Sequence, residues 1–375
     1  MSGLNPTRLL WILGLLWLAV QAGLWITYGT FIELEAEKYT AAAKYLLQHG
    51  KFPERKYVFY AATPLLIALS LKLGTGYSGA VVLQLVFNGW AMRCFFRLCN
   101  DLSGNFHRAA LATVALLLFL PFQSWNVYLY SESVFFSAII LLVYALYRFA
   151  ENPTVARLAA AGVATLLVLI ARPFGMLFIP GLMIFGFLLL PRRLRIVSVG
   201  FAAVGAVFFY YALNRAFSGS VDWNALRPNI AGSIICDIPD PRNQQPLHLL
   251  RGGNPVDQLA FYITHNTGHY LRLSALRLWA FLWPARPWYS NVHNIYVGAA
   301  AVFFYTCFFL GLPTVRNRAP RAFFGFLITA LISYTAAVTL QCDDYHNRFW
   351  TALVPILILA ASCIRVPSGW SRSFK

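Results

Sequence analysis

The sequence predicts an all-α, polytopic integral membrane protein, and three observations support this class. Of the 375 residues, 59% are hydrophobic and only 11% are charged, whereas soluble proteins carry about 25% charged residues. Long apolar runs recur along the chain, and tryptophans lie near the ends of several runs, as in interfacial aromatic belts. About ten runs are long enough to span a bilayer. The predicted spans are 9–28, 78–97, 107–122, 133–149, 156–172, 174–190, 195–213, 294–312, 321–340 and 347–365.

The loops between these runs predict one transmembrane domain, residues 1–375, with two long loops on the same side of the membrane. The first long loop, 31–78, is expected to hold an amphipathic helix over 38–49. The large loop, 214–293, is irregular at first and then reads as a helix over 256–283. Acceptor recognition is expected in the large loop.

The run 57–74 is apolar enough to be counted as a span, which would reverse the orientation of every later segment. We interpret it as a helix at the membrane interface, because the charges then follow the positive-inside rule. Half of the 30 basic residues then lie in short loops on the N-terminal side, with only two acids, Asp101 and Glu151. This topology predicts cytoplasmic termini and an outer face that holds most of the carboxylates.

The net charge of +17 is attributed to topology and to anionic lipid head groups, so a nucleic-acid partner is not predicted. The six cysteines show no metal-binding spacing, and a disulfide between Cys236 and Cys342 is left open. His265 and His269 are four residues apart, but no glutamate follows the first as in a zincin. No metal or other cofactor is predicted, and dependence on a divalent metal is left open.

Glu33, Glu35 and Glu37 lie within five residues in a chain with only 13 acidic residues. A carboxylate at the centre of a bilayer costs about 3 kcal/mol, so three beside an apolar run call for a reason. A carboxylate in a partly dry cleft can act as a general base toward a hydroxyl nucleophile. The alternative is that these charges only fix the end of the first span.

Two further candidates flank the middle spans. Glu132, in Tyr-Ser-Glu-Ser at the start of a span, lies beside hydrocarbon. It is predicted to be paired or functional. The alternative is that its carboxylate stabilises the helix N-terminus. Arg172 lies at a tight turn between two spans. It is predicted either to bind a phosphate or to pair with Glu132.

The segment 342–348 places Asp343, Asp344, His346 and Arg348 before the last span. Arg348 is expected to bind an anionic leaving group, and His346 is a candidate for assisting it. The alternative for the two aspartates is a hydrated loop. Basic residues that flank the interfacial run suit contacts with lipid phosphate or simple anchoring at the interface. These basic residues are Lys51, Arg55 and Lys56.

These features suit transfer of a sugar from a polyprenyl phosphate, with a carboxylate that deprotonates the acceptor and cations that stabilise the departing phosphate. A lipid-linked-sugar flippase is the first alternative. It would place polar groups at mid-span, where most spans here are apolar. A surface-polysaccharide polymerase or ligase, with an arginine- and histidine-led site in the large loop, is the second alternative. A structural membrane subunit is the third.

Several short motifs resemble those of the GT-C superfamily of lipid-phosphate-sugar glycosyltransferases, and one resembles the YSESLF-type stretch of PIG-V-like mannosyltransferases. The motifs run from residue 31 to residue 355. They are Glu35-x3-Tyr39-x3-Ala43-x6-Gly50, Tyr60-x3-Pro64, Tyr130-Ser-Glu-Ser-Val-Phe, Arg172-Pro-x-Gly175 and Arg348-x6-Pro355.

The resemblance implies a GT-C fold and an inverting transfer on the outer face, with a base in the first loop that falls on Glu35 by position. The family usually has aspartate there, so which glutamate acts stays open. Mannose is the sugar implied by the PIG-V-like members. The acceptor would be a lipid, glycan or protein, and the location a bacterial inner membrane. The remaining predicted site residues are Arg172, Arg348, His346, Lys56 and Arg55 for the donor phosphate, and Tyr39, Tyr60, Asp343 and Asp344 for substrate.

Overall fold

The computed structural model describes residues 5–218, 226–250 and 252–364, so the predicted cytoplasmic C-terminal tail lies outside the described residues. The ordered elements in these ranges are helices, 3₁₀ turns and two isolated β-bridges. The helices are α1 (Pro6–Tyr28), α2 (Glu35–His49), α3 (Ala62–Lys72), α4 (Gly76–Ser103), α5 (Phe106–Leu118), α6 (Leu120–Gln123), α7 (Ser131–Glu151), α8 (Val155–Ala171), α9 (Ile179–Leu189), α10 (Arg192–Ser218), α11 (Arg227–Ile230), α12 (Pro255–His265), α13 (Thr267–Leu282), α14 (Asn291–Arg318), α15 (Arg321–Leu340) and α16 (Arg348–Ala361).

The predicted all-α polytopic class is confirmed. Five of the described helices, α1, α4, α7, α14 and α15, are long and apolar enough to cross a membrane. A sixth candidate is the predicted span 107–122, which is broken by a 69° bend between α5 and α6. Pro121 lies in the first turn of α6, where a proline begins a helix but cannot continue the preceding one. Three other predicted spans coincide with apolar helical segments of 14 to 17 residues: α8, Pro173–Leu189 and α16.

The ambiguous run 57–74 folds as a 3₁₀ helix, Arg55–Tyr60, followed by α3. Because α3 has 11 residues, it is about 16 Å long, roughly half the thickness of the hydrocarbon core. It is therefore too short to span, as the interfacial interpretation requires. The predicted amphipathic helix 38–49 is α2, which begins three residues earlier, at Glu35.

The prediction of a single helix over 256–283 is wrong. The chain forms α12 and α13, with a break at Asn266. The Asn266 side chain exchanges hydrogen bonds with the backbone of His248, donating to its carbonyl at 2.7 Å and accepting from its N–H at 2.9 Å. A side chain that binds a separate loop in this way competes with helix continuation.

The internal contacts fall into two compact units. The first unit comprises residues 1–179, 303–327 and 351–375, and the second comprises residues 180–302 and 328–350. In the first unit α7 packs against α4 and α8, and α3 packs against α2 and α4. In the second unit α12 packs against α10 and α13. The organisation of residues 1–375 as one transmembrane domain stays a prediction.

Candidate active site

A parallel β-bridge in the first unit places the acidic stretch beside the Tyr-Ser-Glu-Ser motif. Phe31 N–H donates to the Val127 carbonyl, and Leu129 N–H donates to the Phe31 carbonyl, both at 3.1 Å. The Tyr130 hydroxyl accepts from Glu35 N–H at 3.2 Å and donates to the Glu33 carbonyl at 3.4 Å. Tyr130 thus satisfies one of the free N–H groups at the start of α2.

The three neighbouring glutamates have different environments. Glu33 and Glu37 are exposed, whereas Glu35 is half-buried at the first position of α2. Glu35 Oε1 lies 2.6 Å from Lys38 Nζ and 3.2 Å from the Tyr39 hydroxyl. Glu35 is therefore the glutamate of this stretch that combines access to solvent with contacts to a buried network.

The network continues inward from Glu35 through hydroxyl groups. Tyr39 is completely buried, and its hydroxyl lies 3.2 Å from both Glu35 Oε1 and Ser131 Oγ. Ser131 Oγ donates in turn to Glu132 Oε2 at 3.3 Å. Burial, together with the charges of Glu35 and Glu132, raises the pKa of Tyr39 well above its usual value, so the phenol stays a protonated donor.

Glu132 ends this network and is paired with Arg172. The Glu132 side chain is fully buried, and Arg172 Nη1 donates to its Oε1. The sequence left open whether Arg172 binds phosphate or pairs with Glu132. In the structure Arg172 pairs with Glu132. A buried charge without a partner would lower the stability of the fold. The ion pair therefore keeps the Glu132 and Arg172 side chains in contact.

The turn after α8 explains the glycine in Arg172-Pro-x-Gly175. Gly175 N–H donates to the Arg172 carbonyl at 2.8 Å. A Cβ at Gly175 would lie 2.1 Å from the Val168 carbonyl oxygen, a backbone atom that cannot move aside easily. A glycine is therefore needed for the turn to fold back onto α8 and direct Arg172 toward Glu132.

The other predicted residues of the first long loop lie around Glu35 and at the following 3₁₀ helix. The Tyr60 ring lies 5.8 Å from the Tyr39 ring, and Lys38 Nζ lies 5.3 Å from the Tyr60 centroid. Lys56 pairs with Glu54 at 3.2 Å, and Arg55 is exposed at the start of the 3₁₀ helix. Their predicted phosphate contacts stay predictions.

A second cluster of charges lies in the second unit, in the loop before α16. Asp343 is fully buried and accepts from Arg286 Nη2 at 2.5 Å. Asp344 accepts from Arg348 Nη2 at 2.9 Å and, through Oδ1, from the backbone N–H of His346 at 2.8 Å. The hydrated-loop alternative for the two aspartates is therefore wrong.

This second cluster is tied covalently to the large loop. Cys236 and Cys342, left open as a pair by the sequence, form a disulfide with a Cα–Cα distance of 5.2 Å. A parallel β-bridge accompanies it, since Cys236 N–H donates to the Asp343 carbonyl at 2.8 Å. Burial raises the pKa of Asp343 to about 6, although the Arg286 charge acts in the opposite direction.

Backbone strain among the described residues concentrates beside these clusters. The non-glycine residues with positive φ are Leu34 at 55°, Asp237 at 63° and Asn347 at 57°. Leu34 directly precedes Glu35, Asp237 follows Cys236, and Asn347 precedes Arg348. Strained conformations persist where the surrounding structure fixes them, and they are frequent at functional sites.

Sequence reasoning missed three residues of these clusters. Lys38 had a usable signal, because it lies three positions after Glu35 on the same helix face. Ser131 was considered only as a helix cap. Arg286 gave no signal, since its partner Asp343 is 57 residues away.

The histidine pair of the large loop is engaged in the fold. His269 is buried, with Nδ1 at 2.7 Å from the Tyr262 hydroxyl and Nε2 at 2.9 Å from the Asn243 carbonyl. His265 stacks on Phe261. Within the described residues, no group of three or more His, Cys, Asp or Glu side chains is arranged to hold a metal ion.

The chain matches no protein-family profile and no curated protein sequence. It is similar in structure to ArnT from Cupriavidus metallidurans, whose crystal structure was determined with bound undecaprenyl phosphate. The TM-score is 0.50 and the identity 12%, over 96% of this chain and 62% of ArnT. The chain thus spans less than two thirds of the length of ArnT. ArnT has the GT-C fold, so the likeness confirms the predicted GT-C type of fold.

Proposed function

We propose that this chain is a membrane glycosyltransferase that moves a monosaccharide from a polyprenyl-phosphate donor to a hydroxyl acceptor, with inversion and with Glu35 as the general base. The observation that carries the proposal is the environment of Glu35. Its side chain is 22% exposed, so an acceptor can reach it, and a buried hydrogen-bonded network contacts its inner side.

The reaction fits one accessible carboxylate. The acceptor hydroxyl gives its proton to Glu35 as its oxygen bonds to the anomeric carbon, and the bond from that carbon to the phosphate oxygen breaks. A phosphate leaves without being protonated, so no second acid is required. Glu132 is assigned a positioning role, because it is fully buried and paired with Arg172.

The fold similarity supports the choice of donor. ArnT was crystallised with undecaprenyl phosphate, and the same lipid carrier is proposed here. We propose the outer face of a bacterial inner membrane as the location, with cytoplasmic termini. The acceptor would be a lipid, glycan or protein, and mannose is the first sugar to test. Asp343, Asp344, His346 and Arg348 stay predicted contacts.

A lipid-linked-sugar flippase is the second candidate, and one buried polar residue bears on it. The sequence argument against transport was that the spans are apolar at mid-length, yet Asn88 lies buried near the middle of α4. Asn88 accepts from Trp17 Nε1 at 2.9 Å and donates to Ser137 Oγ at 3.4 Å. Hydrogen bonds of this kind join helices in a membrane, which favours a structural role for Asn88.

The decisive experiment is transfer of radiolabelled sugar from a panel of polyprenyl-phosphate sugars to membrane acceptors by the purified protein. Glu35→Gln should lose about 10²–10⁴-fold in turnover, since the general base is removed. Glu33→Gln and Glu37→Gln are the matched controls and should stay within a few-fold of wild type. Equal activity in all three variants would contradict the assignment of Glu35. Movement of the lipid-linked sugar across the bilayer without transfer would favour the flippase.

A further inference from the structure

Lys38 was not among the predicted site residues, yet it lies between the base and two aromatic rings. Its Nζ is 2.6 Å from Glu35 Oε1, 4.9 Å from the Tyr39 ring centroid and 5.3 Å from the Tyr60 ring centroid. The ring faces attract a cation and limit the positions of a flexible side chain. The two rings therefore restrict Lys38 Nζ to the neighbourhood of the carboxylate.

The accessibility of Lys38 distinguishes it from the two arginines predicted to bind phosphate. Its side chain is 41% exposed, against 10% for Arg172 and 15% for Arg348. Arg172 is paired with buried Glu132, and Arg348 is paired with Asp344. Lys38 also has a partner, but that partner is the proposed base itself, and the pair is open to a ligand.

We propose that Lys38 binds the phosphate of the polyprenyl-linked donor and that it does so by leaving Glu35. This inference rests on the proposed function, since it assigns a second residue to the same reaction. Without donor, the Lys38 ammonium pairs with the Glu35 carboxylate. When a lipid phosphate enters, the ammonium turns toward it while remaining against the two tyrosine rings.

The exchange has two chemical consequences. Glu35 loses a neighbouring positive charge when the donor is bound, and its carboxylate becomes a stronger base. During transfer, the bond between the anomeric carbon and the phosphate oxygen breaks, and its electron pair stays on that oxygen. The phosphodiester monoanion thus becomes a phosphomonoester with an additional negative charge, which Lys38 stabilises. The base is therefore activated where a donor is present.

The test measures binding without turnover. Undecaprenyl phosphate is titrated into full-length protein in phosphatidylcholine nanodiscs, and the bound fraction is followed by native mass spectrometry. Wild type is compared with Lys38→Met, Glu35→Gln, the double variant and Lys38→Arg. Lys44→Met is the matched control, because Lys44 is on the same helix and faces the Tyr77 ring at 5.8 Å. Thermal melting checks that each variant is folded.

Lys38→Met should weaken binding about tenfold, as expected for the loss of a charged hydrogen bond. Glu35→Gln should strengthen binding several-fold, because the competing carboxylate is gone. The double variant should bind like Lys38→Met, which would show that the gain acts through Lys38. Lys38→Arg should retain most of the affinity, and Lys44→Met should bind like wild type.

In this titration, the proposal would be overturned if wild type did not bind undecaprenyl phosphate, if Lys38→Met bound like wild type, or if Glu35→Gln failed to bind more tightly. A parallel titration with phosphatidylglycerol separates the two sources of lipid phosphate. Equal Lys38 dependence for both lipids would assign Lys38 to an ordinary head-group contact and overturn its donor role. Lys38-dependent binding without sugar transfer would support this inference while contradicting the proposed glycosyltransferase.

Discussion

The two charged clusters each contain two acidic and two basic side chains, but they are organised differently. In the first-loop cluster (Glu35, Lys38, Tyr39, Ser131, Glu132 and Arg172), the groups run from a buried ion pair to a carboxylate that solvent reaches. In the last-loop cluster (Arg286, Asp343, Asp344 and Arg348, with the Cys236–Cys342 disulfide), both carboxylates are buried and paired. Both clusters contain the same number of charged side chains. They differ in whether solvent can reach one of the carboxylates.

The comparison indicates different tasks. A general base must be reached by its substrate, and Glu35 meets that requirement. A buried acid with an arginine partner and a nearby disulfide is suited to holding a loop in place. The last-loop cluster therefore fits the positioning of the large loop and of Arg348 better than it fits proton transfer.

The largest expected effect comes from breaking the ion pair of the first-loop cluster. Arg172→Met should lower the free energy of unfolding by about 3–5 kcal/mol, because it leaves Glu132 buried without its partner. Adding Glu132→Leu to Arg172→Met should recover part of this loss. Arg348→Met should cost less, because Asp344 keeps hydrogen bonds from the backbone N–H groups of His346 and residue 348. Unfolding in detergent of wild type and of these three variants measures the differences. If Arg172→Met lost less free energy of unfolding than Arg348→Met, the expected difference between the two ion pairs would be contradicted.

The disulfide of the last-loop cluster should contribute about 2–4 kcal/mol, since it closes a segment of 106 residues. Cys236→Ser and Cys342→Ser should each lower the melting temperature, and a reductant should lower it in wild type alone. Cys307→Ser, at a free and partly buried cysteine, is the control and should melt like wild type. Mass spectrometry of the unreduced protein verifies the linkage. Equal melting temperatures for wild type and Cys236→Ser would show that the bridge does not hold this loop.

The smallest expected effect is the pH dependence of Asp343, whose pKa is raised to about 6. The folded protein then binds a proton on Asp343 more readily than the unfolded chain does, between about pH 4 and pH 6. The contribution of this group to stability therefore falls as the pH rises through that window and is constant above it. The comparison is the stability of wild type minus that of Asp343→Asn, which should fall by about 1–3 kcal/mol from pH 4 to pH 7.

A difference between wild type and Asp343→Asn that stays constant over the same range, or rises with pH, would indicate a carboxylate ionised by Arg286. The last-loop cluster would then resemble the Glu132–Arg172 pair more closely. Other carboxylates titrate in the same range, but they occur in both proteins, so the subtraction removes them.

Much of the fold followed from local pattern. Five of the ten predicted spans and the helix near 38–49 were predicted well because apolar length and charge are properties of short segments. The run 57–74 forms a helix too short to span, as its interfacial interpretation requires. The helix 256–283 was predicted as one element because nothing local shows that Asn266 binds the backbone of His248. The candidate site was recovered in part: Glu35, Tyr39, Glu132 and Arg172 were named, and the Glu132–Arg172 pair was one of two alternatives. The path from Glu35 through Tyr39 and Ser131 to Glu132 was not predicted.

By itself the sequence determined that this is an all-α membrane protein and where its unusual charges lie, since the bilayer imposes its requirements on each apolar segment separately. Only the tertiary structure decided which glutamate joins a buried network, that Arg172 pairs with Glu132 and Arg286 with Asp343, and that Cys236 is linked to Cys342. These relations join residues 40, 57, 92 and 106 positions apart. At such distances along the chain, the packing of helices and loops decides which charges meet.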